Sequence, residues 1–122
     1  MGRNYDGDIE GRFWFGIQSS NAANRFGYIG HPPEHEHLEY YFDENNLKEC
    51  EKEIKVIERK LGGNLELLDE FYDINVVDKP EHKAMVELIS DDLMADYADL
   101  VLGRKIRDCI KRKGDCYFTA EL

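Results

Sequence analysis

Two periodicities run through the chain. At period two, Ile9 to Ser19 places Ile9, Phe13, Phe15 and Ile17 on one face and Arg12, Trp14 and Gln18 on the other. That is the pattern of a half-buried strand. Leu38, Tyr40 and Phe42 repeat it over residues 38–42, and Cys116, Phe118, Ala120 and Leu122 over residues 116–122. In the last segment Tyr117, Thr119 and Glu121 take the opposite face.

At helical period, Leu47, Cys50, Ile54, Ile57 and Leu61 form a single apolar stripe with Lys and Glu between them. The pattern predicts a helix over 45–61, stopped by Gly62 and Gly63. Asn64 is placed to cap a short second helix through Leu65, Leu68, Phe71 and Tyr72. Residues 73–79 read as extended or loop, and Pro80 as the first residue of a helix carrying Met85, Leu88 and Ile89. Ser90 either begins a new helix or lies within a continuous one, which runs to about Lys113 and stops at Gly114. Its first turns hold Asp91, Asp92, Asp96 and Asp99, and its last turns six Lys and Arg residues from Arg104 to Lys113. Acid first and base last complements the helix dipole. Between the first two strands, Ser20 caps a short helix that Gly27 ends. Residues 1–8 and the segment YIGHPPEHEH read as loops, the latter broken by Pro32 and Pro33.

These elements predict one α+β domain over residues 1–122, a small antiparallel sheet of three or more strands packed against amphipathic helices. The length of 122 residues suits a single domain. The strands at 9–18, 38–42 and 116–122 are expected to pair in one sheet.

Charge narrows the function. The chain carries 16 basic and 26 acidic residues, a net −10. Phosphate binding needs local positive charge, so nucleic acid is disfavoured as a partner. Only residues 104–122 are net positive, with six bases and three acids. No apolar run approaches the roughly 20 residues of a membrane helix, and the first ten residues lack the apolar segment of a signal peptide. Three cysteines, Cys50, Cys109 and Cys116, form an odd and sparse set that reads as reduced thiols in a cytosolic or nuclear compartment, and a cytoplasmic setting is expected.

Candidate chemistry is thin. His31, His35 and His37 crowd into HPPEHEH, and His-x-His places two imidazoles on one side of an extended chain. A small metal-dependent hydrolase built on that loop and its carboxylates is the catalytic alternative. The spacing matches no zinc motif and no second Cys or His pair supports it, so no structural metal site and no cofactor are expected. Asp6, Asp8 and Glu10 also alternate, and they read as a solvated approach to a strand. Cys109 stands beside Arg107 and Lys111, which favour a thiolate. No nucleophile elbow and no phosphate-binding glycine loop is present.

The polar side of the expected sheet is the more informative feature. Trp14, Tyr41 and Tyr117 point away from the apolar face, with Arg12 beside them and Glu10, Glu39 and Glu121 around them. Aromatic side chains on an open surface favour protein contacts, and the surrounding acids oppose base stacking. The expected function is that of a small acidic binding protein, engaging a protein partner or itself through Trp14, Tyr41, Tyr117 and Arg12. Occupation of a phosphate-binding groove by acid mimicry is a special case.

Two segments, DGDIEGRFWFGIQSS and GRKIRDCIKRKGDCYFTAEL, resemble stretches of small uncharacterised proteins encoded by large DNA viruses and phages. The resemblance covers about a third of the chain and carries no catalytic motif. It implies an origin in such a genome, with no activity attached, and assigns no residue roles; if the origin is viral, inhibition of a host factor is one form the expected binding takes.

Overall fold

The computed structural model describes residues 3–14, 17–34, 37–72 and 87–122. It is an α+β arrangement with a five-stranded antiparallel sheet among these residues. The strands are β1 (Asn4–Gly7), β2 (Gly11–Arg12), β3 (His31–Glu34), β4 (His37–Asp43) and β5 (Asp115–Glu121). They lie in the order β2-β1-β5-β4-β3. The chain's last strand therefore occupies the centre. Among the described residues the helices are α1 (Leu47–Leu61), α2 (Asn64–Tyr72) and α3 (Asp91–Lys113), with 3₁₀ turns at Ala22–Phe26 and Glu44–Asn46.

The stripe of α1 does what its spacing requires. Cys50, Ile54, Ile57 and Leu61 are buried, and Leu47 packs at the margin. They pack against α3, whose Leu100, Gly103, Ile106 and Ile110 are also buried, and the Cys50 thiol donates to the Gly103 carbonyl at 3.6 Å. Beneath the helices lies an aromatic layer from the sheet. Tyr40 and Phe118 stack with centroids 5.0 Å apart, and Phe42 lies 6.1 Å from each. The register explains this, since Tyr40 faces Phe118 and Phe42 faces Cys116 across β4 and β5. Directly opposed residues share a face, so one alternating strand selects the buried set of its neighbour.

Ser90 begins α3. Its hydroxyl accepts the Leu93 N–H at 3.3 Å, and Gly114 closes the other end by donating to the Ile110 carbonyl at 2.7 Å. Ser20, expected as a cap, is not one. It is buried and accepts from Arg3 at 2.7 Å, while the 3₁₀ turn starts after Asn21.

Two expectations about the sheet are corrected. Residues 9–18 do not form one continuous strand of the sheet. Among the described residues of this segment only Gly11–Arg12 is strand, and it pairs with β1, which itself runs through residues expected to be loop. Phe13 N–H donates to the Arg3 carbonyl at 2.8 Å, and then the chain turns. Buried Gln18 captures the Trp14 N–H at 3.0 Å and donates to Asp99 on α3 at 3.0 Å, drawing the chain away from the sheet. Phe15 lies outside the described residues. The second correction concerns HPPEHEH, expected as a loop. His31–Glu34 is an edge strand, pairing His31 with Glu39 and Glu34 with His37. Prolines are tolerated there because an edge strand needs only one row of hydrogen bonds. The expectations for residues 73–79 and for a helix from Pro80 lie outside the described residues.

Candidate functional site

The sheet's second face carries no helix among the described residues, and its composition follows from the register. Inward positions on β1, β4 and β5 include Tyr5, Tyr40, Phe42, Cys116, Phe118 and Ala120, all buried, with Leu38 partly buried at the margin. Outward positions are therefore Asn4 and Asp6 on β1, His37, Glu39, Tyr41 and Asp43 on β4, and Asp115, Tyr117, Thr119 and Glu121 on β5. Tyr41 and Tyr117 stand directly opposite each other on the two central strands, 44% and 40% exposed.

Their surroundings hold them in place. The Tyr41 hydroxyl donates to Asp115 at 3.1 Å, and that acceptor raises the phenol's pKa above its ordinary value. Asp43 faces Asp115 across the ladder, a like-charge pairing that costs stability on its own. Asp43 is partly compensated as the cap of a 3₁₀ turn, accepting the Asn45 N–H at 2.8 Å, and Asp115 by Lys113 at 3.7 Å. Asp8 sets the backbone of Tyr117. Its own N–H donates to the Tyr117 carbonyl at 2.7 Å, and its carboxylate accepts the Tyr117 N–H at 2.9 Å. Lys113 completes the clamp at 2.8 Å from Asp8. The lysine's hydrogen bond, followed by that of the Tyr117 N–H, holds the Asp8 carboxyl below its ordinary pKa. An alternating acid that read as solvated loop is thus a structural latch. Gly7 precedes it at φ +151°, where an added Cβ would lie 2.5 Å from the Tyr117 carbonyl oxygen.

Of the four residues expected to form the site, the structure brings together two. Tyr41 and Tyr117 pair as described, and Arg12 is exposed on the same face at the β2 edge, opposite Asn4. Trp14 is elsewhere, because the strand expected to carry it ends at Arg12. Its half-buried ring packs on the helical side, 5.0 Å from Tyr72 on α2 and 6.2 Å from Tyr97 on α3. The outer-face role for Trp14 is therefore withdrawn.

The chemical candidates fare as follows. His35 lies outside the described residues, so the three-histidine constellation is not placed as a whole. Among the described residues no three of His, Cys, Asp and Glu gather as a metal site. Cys50, Cys109 and Cys116 are free and buried, and burial pushes the Cys50 thiol up to about 12. The Cys109 thiol donates to the Asp115 carbonyl at 3.3 Å. The basic run at the end of α3 is largely paired inside the molecule. Arg104 grips Asp69 at 2.8 Å, Lys105 donates to the Tyr5 hydroxyl at 2.9 Å, and Lys113 holds Asp8.

One feature escaped sequence reasoning. The strands hold six carboxylates, Asp6, Glu34, Glu39, Asp43, Asp115 and Glu121, against the single cation Arg12. By contrast α1 carries five bases and four acids, and α3 six and five. Among the described elements the strands are net −5 and the short α2 net −3, while the two long helices are close to neutral. No helix among the described residues is long and apolar enough to cross a membrane. No family model, curated protein or solved structure matches the chain.

Proposed function

We propose that this chain is a small acidic binding protein, without catalysis of its own, that engages another protein through the outer face of its sheet. One observation carries the reading: Tyr41 and Tyr117 are paired and open to solvent at the middle of an acid-rich sheet face that no helix covers among the described residues. Tyrosines present large, rigid contact area with a polar tip, the usual anchor chemistry of protein interfaces. Their backbone is fixed by the central ladder and by Asp8, so little order is lost when a partner covers them. The sheet's edges suit strand addition less well. β2 has two residues, and β3 contains two prolines that lack an N–H to donate. The resemblance of two segments to viral and phage proteins makes a host factor the partner class to test first, with inhibition of that factor as the form of action.

The experiment is a quantitative capture from host extract with three proteins: the parent chain, Tyr41→Ala/Tyr117→Ala, and Val56→Ala. Val56 is 45% exposed on α1, away from the sheet, and serves as the control. A partner retained by the parent and by Val56→Ala but lost from the double variant supports the reading. A partner held equally by all three overturns it.

A further inference from the structure

Resting on that reading, we infer that the partner presents an arginine-rich surface to this face, of the kind that otherwise receives phosphate. A second copy of the chain is a poor occupant. A twofold interface would lay Asp6, Glu39, Asp43, Asp115 and Glu121 against the same carboxylates of the other copy, with Arg12 as the one strand cation to offset them. Complementarity therefore calls for positive charge, and the arrangement selects among cations. The tyrosine pair is bracketed along the strands by carboxylates. Asp43 and Asp115 lie two residues to one side and Glu39 two residues to the other, each about 7 Å away along the strand.

A guanidinium laid on either ring reaches a carboxylate at its edge. It is planar, weakly hydrated and forked, so it stacks and forms paired hydrogen bonds at once. An ammonium is a compact, strongly hydrated point charge and satisfies only the electrostatic half of the site. Part of the carboxylate set is already engaged, Asp115 by Tyr41 and Lys113 and Asp43 by the Asn45 N–H, which leaves Glu39, Glu121 and Asp6 as the acids of this face whose carboxylates have no partner among the described residues.

The test titrates isotopically labelled protein with octa-arginine and octa-lysine peptides and follows backbone and tyrosine ring signals. The arginine peptide should bind about threefold or more tighter than the lysine peptide, the size of an exposed stacking contribution. Its shifts should map to Glu39, Tyr41, Tyr117 and Thr119. Tyr41→Ala/Tyr117→Ala should abolish the preference, Tyr41→Phe/Tyr117→Phe should keep it, and Glu39→Gln/Glu121→Gln should weaken both peptides. Equal binding of the two peptides, or shifts centred on Glu66, Asp69 and Glu70 of α2, overturns the inference. If peptide binding fails while the double alanine variant still loses its captured partner, the partner chemistry is wrong and the surface assignment stands. If that variant keeps its partner, the surface assignment itself falls.

Discussion

Gly103 shows how one residue fits two layers together. It sits inside α3, where glycine costs about 1 kcal/mol relative to alanine. The reason is Phe26, fully buried on the 3₁₀ turn, whose ring would lie 2.4 Å from a Cβ at this position. Gly103→Ala gains helix propensity but forces the ring or the helix to move, and overpacking of that kind costs about 1–3 kcal/mol. The expected outcome is a lower urea midpoint with an unchanged slope, and an increased midpoint would contradict the packing. Asp8 makes a prediction in pH. Its carboxyl is held below the ordinary value, so the native state binds fewer protons than the unfolded chain in the window between the two pKa values. Its contribution is fully present above about pH 4, the unfolded value, and is lost as pH falls through the folded one. Asp8→Asn should melt below the parent at neutral pH, with the difference shrinking under acid. A gap in melting temperature that stays constant to pH 2 would show that the latch is not ionic.

Among the elements, legibility followed the number of buried positions each one repeats. α1 offers four buried residues in a regular stripe, β4 and β5 two and three in strict alternation, and all were readable from spacing. β1 buries Tyr5 alone among four residues, too short a pattern to register against its polar neighbours. The opposite error arose just after it. Ile9 and Phe13 are both buried, but from a hairpin and a turn, so apolar alternation imitated a strand where Gln18 and Arg3 direct the backbone. Proline masked β3, because breakers mark loops except at an edge. That edge supplies a further expectation. Pro32→Thr/Pro33→Thr restores N–H donors to an outer strand and should promote edge-to-edge association, read as a concentration-dependent rise in sedimentation coefficient. Unchanged monomer behaviour would mean that the prolines do not guard the edge.

At the scale of the whole molecule, the candidate site was legible only in half. Tyr41 and Tyr117 lie on strands whose alternation is plain, so their outward direction followed. Trp14 depended on a strand that is absent, and its place against Tyr72 and Tyr97 required a tertiary contact that no local pattern encodes. The charge distribution was hidden for a related reason. Residues 104–122 are net positive as a segment, yet the fold divides them, sending Arg104 to Lys113 onto a near-neutral helix and Asp115 and Glu121 onto the acidic sheet. Linear windows average over that division. What results is a layered molecule with an acidic sheet face and two exposed tyrosines at its centre.

Tyrosine footprinting of the free and partner-bound protein tests that surface most directly. Tyr41, Tyr117 and Tyr72 are exposed to similar degrees at 44%, 40% and 41%, but Tyr72 lies on the helical side beside Trp14. In the complex, labelling of Tyr41 and Tyr117 should fall together while Tyr72 still reacts. Protection of Tyr72 with Tyr41 and Tyr117 still labelled would place the interface on the helices and contradict the account.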